Sequence, residues 1–201
     1  MFGSRTGFGV ASALCGLMIV ISGCKGKTEP DTSNFKTAIN DSYSAHPRCL
    51  WLSPVKFPAQ ADASNDEQTK GFDALTDAGF LTRKAEEKKR FLIGSKQVND
   101  YDVSDKGRTV WTPDQTQPGY GNFCYGHREV TSIDNFTMST NQSGANTATV
   151  NYHYDLAGVP DWAKTQEMQT AFPNLQADLA TPNTATATLL QTQNGWQVSA
   201  D

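Results

Sequence analysis

Between Thr6 and Gly23 the chain carries no charged side chain, and Arg5 is the only charged side chain before that stretch. A cationic start, an apolar run and closing small residues are the layout of a secretory signal, so residues 1–23 are expected to be removed and to add nothing to the fold. The most apolar part, Val10 to Ile21, is short for a membrane span, which needs about 20 apolar residues to cross the hydrocarbon layer. What folds must therefore be built from the remainder.

The run ends in Ile21-Ser22-Gly23-Cys24, an aliphatic residue, two small ones and a cysteine. These four residues resemble the lipobox of bacterial lipoproteins. That resemblance implies cleavage just before Cys24, a diacylglyceryl group on its thiol and an acylated, for example palmitoylated, amino terminus. One acyl chain holds a protein only marginally and two or three hold it firmly, so membrane lipid is an expected partner. Lys25 stands where an aspartate would imply inner-membrane retention, and the expected location is the outer membrane, facing the periplasm. Residues 24–34, beginning with Cys24 and polar throughout with Gly26 and Pro30, read as a lipidated cysteine and tether.

Without its first 23 residues, the 201-residue chain has 178 left, enough for one domain or two small lobes. Lys and Arg then number 16 against 21 Asp and Glu, about −5, so the overall field attracts neither nucleic acid nor an anionic surface. No nucleic-acid partner is expected. The basic cluster Arg83-Lys84 with Lys88-Lys89-Arg90 is broken by Glu86 and Glu87 and reads as a solvated loop or helix end.

Cys15 leaves with the signal and Cys24 is assigned to lipid, which leaves Cys49 and Cys124. An even pair in an oxidising compartment points to a disulfide, the alternative being two separated buried thiols.

Phe35, Ile39 and Tyr43 recur at helical spacing after Ser33 or Asn34 as a cap, and Pro47 follows the end. Arg48 to Leu52 reads as a strand or extended segment. Ser64 and Glu67 have capping-box spacing before the stripe Phe72, Leu75, Ala78, and Gly79 is placed to end that helix. Residues 91–97 and 101–111 read as extended, with a turn at Asp105-Lys106-Gly107. DALTDAGFLTR (73–83) and YDVSDKGRTVW (101–111) together resemble the helix, strand and wing phrase of winged-helix domains, which implies shape alone.

Residues 128–138 and 147–156 form an expected antiparallel pair. A helical segment carries Trp162, Met168 and Phe172, and a hairpin turns at Asn194-Gly195. The order strand, strand, helix, strand, strand predicts an antiparallel sheet with a helix against one face. The expected class is α+β, with a helix-rich lobe over 35–127 and a β lobe with one helix over 128–201.

No G-x-S-x-G elbow, Walker loop, dinucleotide glycine pattern or H-E-x-x-H pair occurs. No catalytic residue, metal site or cofactor is assigned. The most unusual segment runs from Pro118 to Gly126, with glycines interleaved with Tyr120, Phe123 and Tyr125. These aromatics either line a groove for a sugar or peptide or fill a core around the disulfide. His127 and Glu129 follow on one strand face. Tyr120, Phe123, Tyr125, His127 and Glu129 are therefore the candidate binding residues. The expected function is a non-enzymatic, lipid-anchored envelope module that binds a protein, peptide or glycan, or serves a structural role. The alternative is an envelope hydrolase acting on cell-wall material near His127 and Glu129.

Overall fold

The computed structural model describes residues 26–89, 94–180 and 183–199. Cys24, Arg90 and residues 91–93 lie outside them. The fold is α+β, a seven-stranded antiparallel sheet, a three-stranded sheet and short helices. No helix among the described residues is long and apolar enough to cross a membrane.

Helix α1 (Thr32–Ala45) starts where Asp31 Oδ1 accepts the Asn34 N–H at 2.9 Å. Asp31 rather than Ser33 or Asn34 is the cap, because its carboxylate sits one turn below the first unpaired amides. Helix α2 (Asp66–Asp77) is likewise capped by Asn65, which accepts the Gln68 N–H at 3.3 Å, while Ser64 donates to Asp62 instead of closing a box with Glu67. Its other end follows the sequence expectation. Gly79 takes φ +78°, its N–H donates to Thr76 and that of Phe80 to Leu75, a Schellman closure.

Strand β7 (Tyr120–Thr140) organises the large sheet. Near its start it is flanked on one edge by β1 (Arg48–Cys49) and β2 (Val55–Lys56), and on the other by β6 (Trp111–Pro113). Gly121 faces Val55 on one side and Pro113 on the other. A Cβ at Gly121 would sit 2.4 Å from the Thr112 carbonyl oxygen, so only glycine lets β6 approach this closely. Farther along, β7 pairs with β8 (Asn146–Ala157), which pairs with β9 (Asn183–Thr192) and then β10 (Gly195–Val198). Two register shifts, near Thr131 and Asp134, bend β7 between its two halves.

Lys84, Glu87 and Lys88 are exposed as expected, but residues 84–89 belong to strand β4 (Leu81–Lys89), not to a loop or helix end. β4 pairs with β5 (Ser95–Val103), which pairs with β3 (Ala59–Asp62). Dense charge of both signs on this outer strand keeps it from recruiting another strand. The residues expected to turn at 105–107 form a helical turn, α3 (Asp105–Arg108), capped by Ser104.

Two apolar cores exchange their helices. The core of Phe123, Tyr125, Leu75, Phe80 and Tyr101 is covered by α4 (Gln166–Ala171) and α5 (Pro173–Leu179), through Met168, Phe172 and Leu175. The core of Val130, Val150, Leu189 and Trp196 is covered by Phe35 and Ile39 of α1. The sheet expected in the C-terminal half thus forms, but its helical cover comes from the start of the chain. Accordingly, the cores do not divide at residue 127. Phe35 meets Phe136 and Trp196 edge-on at 4.9 and 5.0 Å, a geometry aromatic quadrupoles favour. The last hairpin also differs in detail. Gly195 pairs with Thr192, which leaves Gln193 and Asn194 at the tip, and the positive φ falls on Gly195 but not on Asn194. A type I′ turn at Asn194-Gly195 is excluded.

A candidate binding groove at Trp51

Cys49 lies opposite Cys124 in the ladder, with Cα atoms 3.8 Å apart, and the two are joined by a disulfide. The next ladder contact of this edge is Val55 with Gly121. Six residues of advance on the first strand thus meet three on β7, and the surplus leaves the sheet as an excursion. Leu50 is still held, its N–H donating to the Phe123 carbonyl at 3.0 Å. Beyond it a side chain takes over from the strand. The Trp51 N–H donates to Asn122 Oδ1 at 3.2 Å, and Asn122 Nδ2 donates to the Trp51 carbonyl at 2.7 Å. The excursion is therefore pinned at Cys49 and at Trp51 and rejoins the ladder at Val55, and Leu52, just past Trp51, stands 88% exposed.

The Trp51 ring packs among Phe57, Phe72, Phe123 and Phe172, with centroids 5.7 to 6.3 Å away. It is only half-buried. Among the described residues its Nε1 has no hydrogen-bond partner, and the atom reaches solvent. Trp51 borders two clefts. One, of about 600 Å³, is walled by Pro47, Leu52, Pro54, Pro113 and the disulfide, with Arg48 and Asp114 as polar members. The other, of about 280 Å³, lies between α2 and the α4–α5 junction and is bounded by Phe72, Phe172, Pro173, Glu67 and Lys70. The two clefts share Trp51 as a lining residue, and each combines apolar or aromatic side chains with a few polar ones, the arrangement of small-ligand sites.

One wall is braced from behind by buried charge. Asp178 is 7% exposed and accepts from Arg48 Nε at 2.5 Å, the Tyr125 hydroxyl at 2.7 Å and Arg128 Nη2 at 3.1 Å. Burial pushes its carboxyl pKa up, but the donated hydrogen bonds and the arginine charges outweigh that and hold it below the usual carboxylate range. Burial and the Asp178 charge push the Tyr125 phenol up, so it remains a neutral donor. Arg128 also lies over the Tyr154 ring at 4.9 Å, and Tyr43 and Tyr152 share a 2.6 Å hydrogen bond beside it. This joint ties α5, β1 and β7 together and fixes Arg48 at the mouth of the larger cleft. At the opposite rim, Asp114 is held below the usual carboxylate range by hydrogen bonds from Thr116 and Gln117.

The candidate binding residues separate. Phe123 and Tyr125 are fully buried, so they fill the core rather than line a groove. Alternation along β7 explains the exchange: Asn122 and Cys124, of the opposite parity, line the cleft, and Gly121 borders it without a side chain. Tyr120 is half-buried under Lys56, whose ammonium lies 5.8 Å from its ring. His127 is half-buried and Glu129 exposed. They face Ala157 and Asp155 across the ladder, and neither lines the two clefts at Trp51. Among the described residues no group of three or more His, Cys, Asp or Glu is placed to hold a metal ion. From sequence Trp51 is only one member of the extended segment Arg48 to Leu52. Its signal was local, a tryptophan two residues after a pairing cysteine and shortly before Pro54.

Comparison with protein-family models, with curated proteins and with solved structures finds no match.

Proposed function

We propose that this chain is a lipid-anchored bacterial envelope protein that works as a non-enzymatic binding module, held at the outer membrane through Cys24 and facing the periplasm, with the Trp51 groove as its recognition surface. The observation that carries the binding role is the immobilised excursion 49–55. The Cys49–Cys124 bond, the Asn122 clamp and the Trp51 ring fix a leucine in solvent beside a cleft of about 600 Å³. Exposing a leucine forgoes about 1.5–3 kcal/mol of burial, and holding it rigid lowers the ordering cost of association. The lipobox resemblance supports the anchor, and a disulfide suits an oxidising compartment.

The test is site-specific photocrosslinking in intact cells from Leu52, with exposed Met138, far along β7, as the control position. Adducts confined to Leu52 support a recognition surface there. Equal adducts at both positions, or none at either, count against it.

A further inference from the structure

We propose that the smaller cleft beside Trp51 is a sugar subsite, taking one pyranose ring of an uncharged polysaccharide whose chain continues past Trp51 into the larger cleft. This deepens the binding reading above and rests on it. At about 280 Å³ the cleft falls just under the ~300 Å³ lower end for drug-sized ligands, which is the scale of a single ring. Its floor and wall are Trp51, Phe72, Phe172 and Pro173, surfaces suited to the C–H face of a sugar.

The rim supplies what the edge of a sugar needs. Glu67 and Lys70 are both exposed, and among the described residues neither makes an ion pair. A hydroxyl both donates and accepts, so it can donate to the Glu67 carboxylate and accept from the Lys70 ammonium or from Trp51 Nε1–H. The opposite charges balance, which fits a neutral ligand better than an ionic one. An extended peptide fits less well. The walls belong to α2 and to the α4–α5 junction, so no strand edge is on offer and the peptide's own N–H and C=O groups would go unpaired.

The test is titration of the full chain, purified in detergent, with two neutral probes, chitotetraose and cellotetraose, followed by tryptophan emission up to about 10 mM, enough to saturate a millimolar site. Glu67→Gln and Lys70→Met are run in parallel, with circular dichroism melts to confirm that each surface variant is folded. The expected result is saturable binding of at least one probe, weakened about 10-fold by each variant at an unchanged melting temperature. Absence of binding by both probes, or binding that neither variant alters, overturns the subsite. A proline-rich decapeptide that binds in place of the sugars also overturns it. Binding of that peptide, or Leu52-specific crosslinks to a protein, would leave the parent reading standing, so the two failures are distinguishable.

Discussion

The side-chain amide of Asn122 bonds both polar backbone groups of Trp51, standing in for the strand that β1 ceases to be after Cys49. The amide thus lets the chain leave the sheet without leaving Trp51 unheld, and Asn122 itself is 8% exposed.

Asn122→Ala is therefore expected to destabilise the protein by about 2–3 kcal/mol, since three hydrogen bonds are lost, to the N–H and carbonyl of Trp51 and the N–H of Phe123, and part-buried backbone groups are left unpaired. Tryptophan emission of the folded variant should shift to the red as Trp51 loosens. Urea unfolding followed by fluorescence measures both, and a loss under about 0.5 kcal/mol, typical of an uncoupled surface change, would contradict the clamp.

The disulfide closes a loop with a sequence separation of 75. In the chain-entropy model such a loop contributes roughly 4 kcal/mol, and observed values commonly fall to about 2–4. Cys49→Ser with Cys124→Ser should lower the unfolding free energy by that amount, as should reductant acting on the parent chain. If reductant leaves the denaturation midpoint unmoved, the bond does not stabilise this fold.

Asp178 gives a pH signature. Its folded pKa lies below the unfolded carboxylate value of about 3.9. Its contribution is therefore complete above that value and is lost as pH falls through the folded pKa. Stability should fall below about pH 4, and Asp178→Asn should flatten this slope while costing about 3–5 kcal/mol at neutral pH, because Arg48 and Arg128 lose their counter-charge. Equal pH slopes for parent and variant would show that other carboxylates govern acid unfolding.

Gly121→Ala pushes a methyl group into the Thr112 carbonyl and the Trp111 ring. Overpacking of this kind costs about 1–3 kcal/mol. Hydrogen exchange should locate the damage in β6 and the start of β7, leaving β8 to β10 protected. Uniform loss of protection would mean that the two cores unfold as one.

Much of the fold was legible where a local rule had no competitor. Gly79 ends α2 because a left-handed residue there satisfies the last carbonyls, and Val150, Tyr152 and Tyr154 alternate with polar residues because one face of β8 meets a core. Local rules failed where two neighbours competed for one role. Asn65 displaced Ser64 as the cap once Ser64 bonded Asp62. The charges of β4 mimicked a solvated loop because an outer strand can have both chemistries. Long-range choices left no local trace. Neither the Phe35 stripe nor that of Met168 and Phe172 specifies which sheet it covers, and the structure crosses them over.

The candidate site was half legible. The glycine-aromatic segment does border a cleft, through Gly121, Asn122 and Cys124 and not through Phe123 or Tyr125. Which parity of a strand faces inward is set by its partners, and β7 has partners from four other strands. Trp51 gained its place from the unequal advance of two strands, which appears only when both are paired.

Intact mass spectrometry of the protein from its native envelope, before and after reduction and alkylation, reports both the proposed lipid anchor and the oxidised, pinned excursion. An anchored, oxidised module yields a chain beginning at an acylated Cys24, with Cys49 and Cys124 resisting alkylation until reduced. A chain without acyl groups, or one whose Cys49 and Cys124 alkylate before reduction, would contradict it.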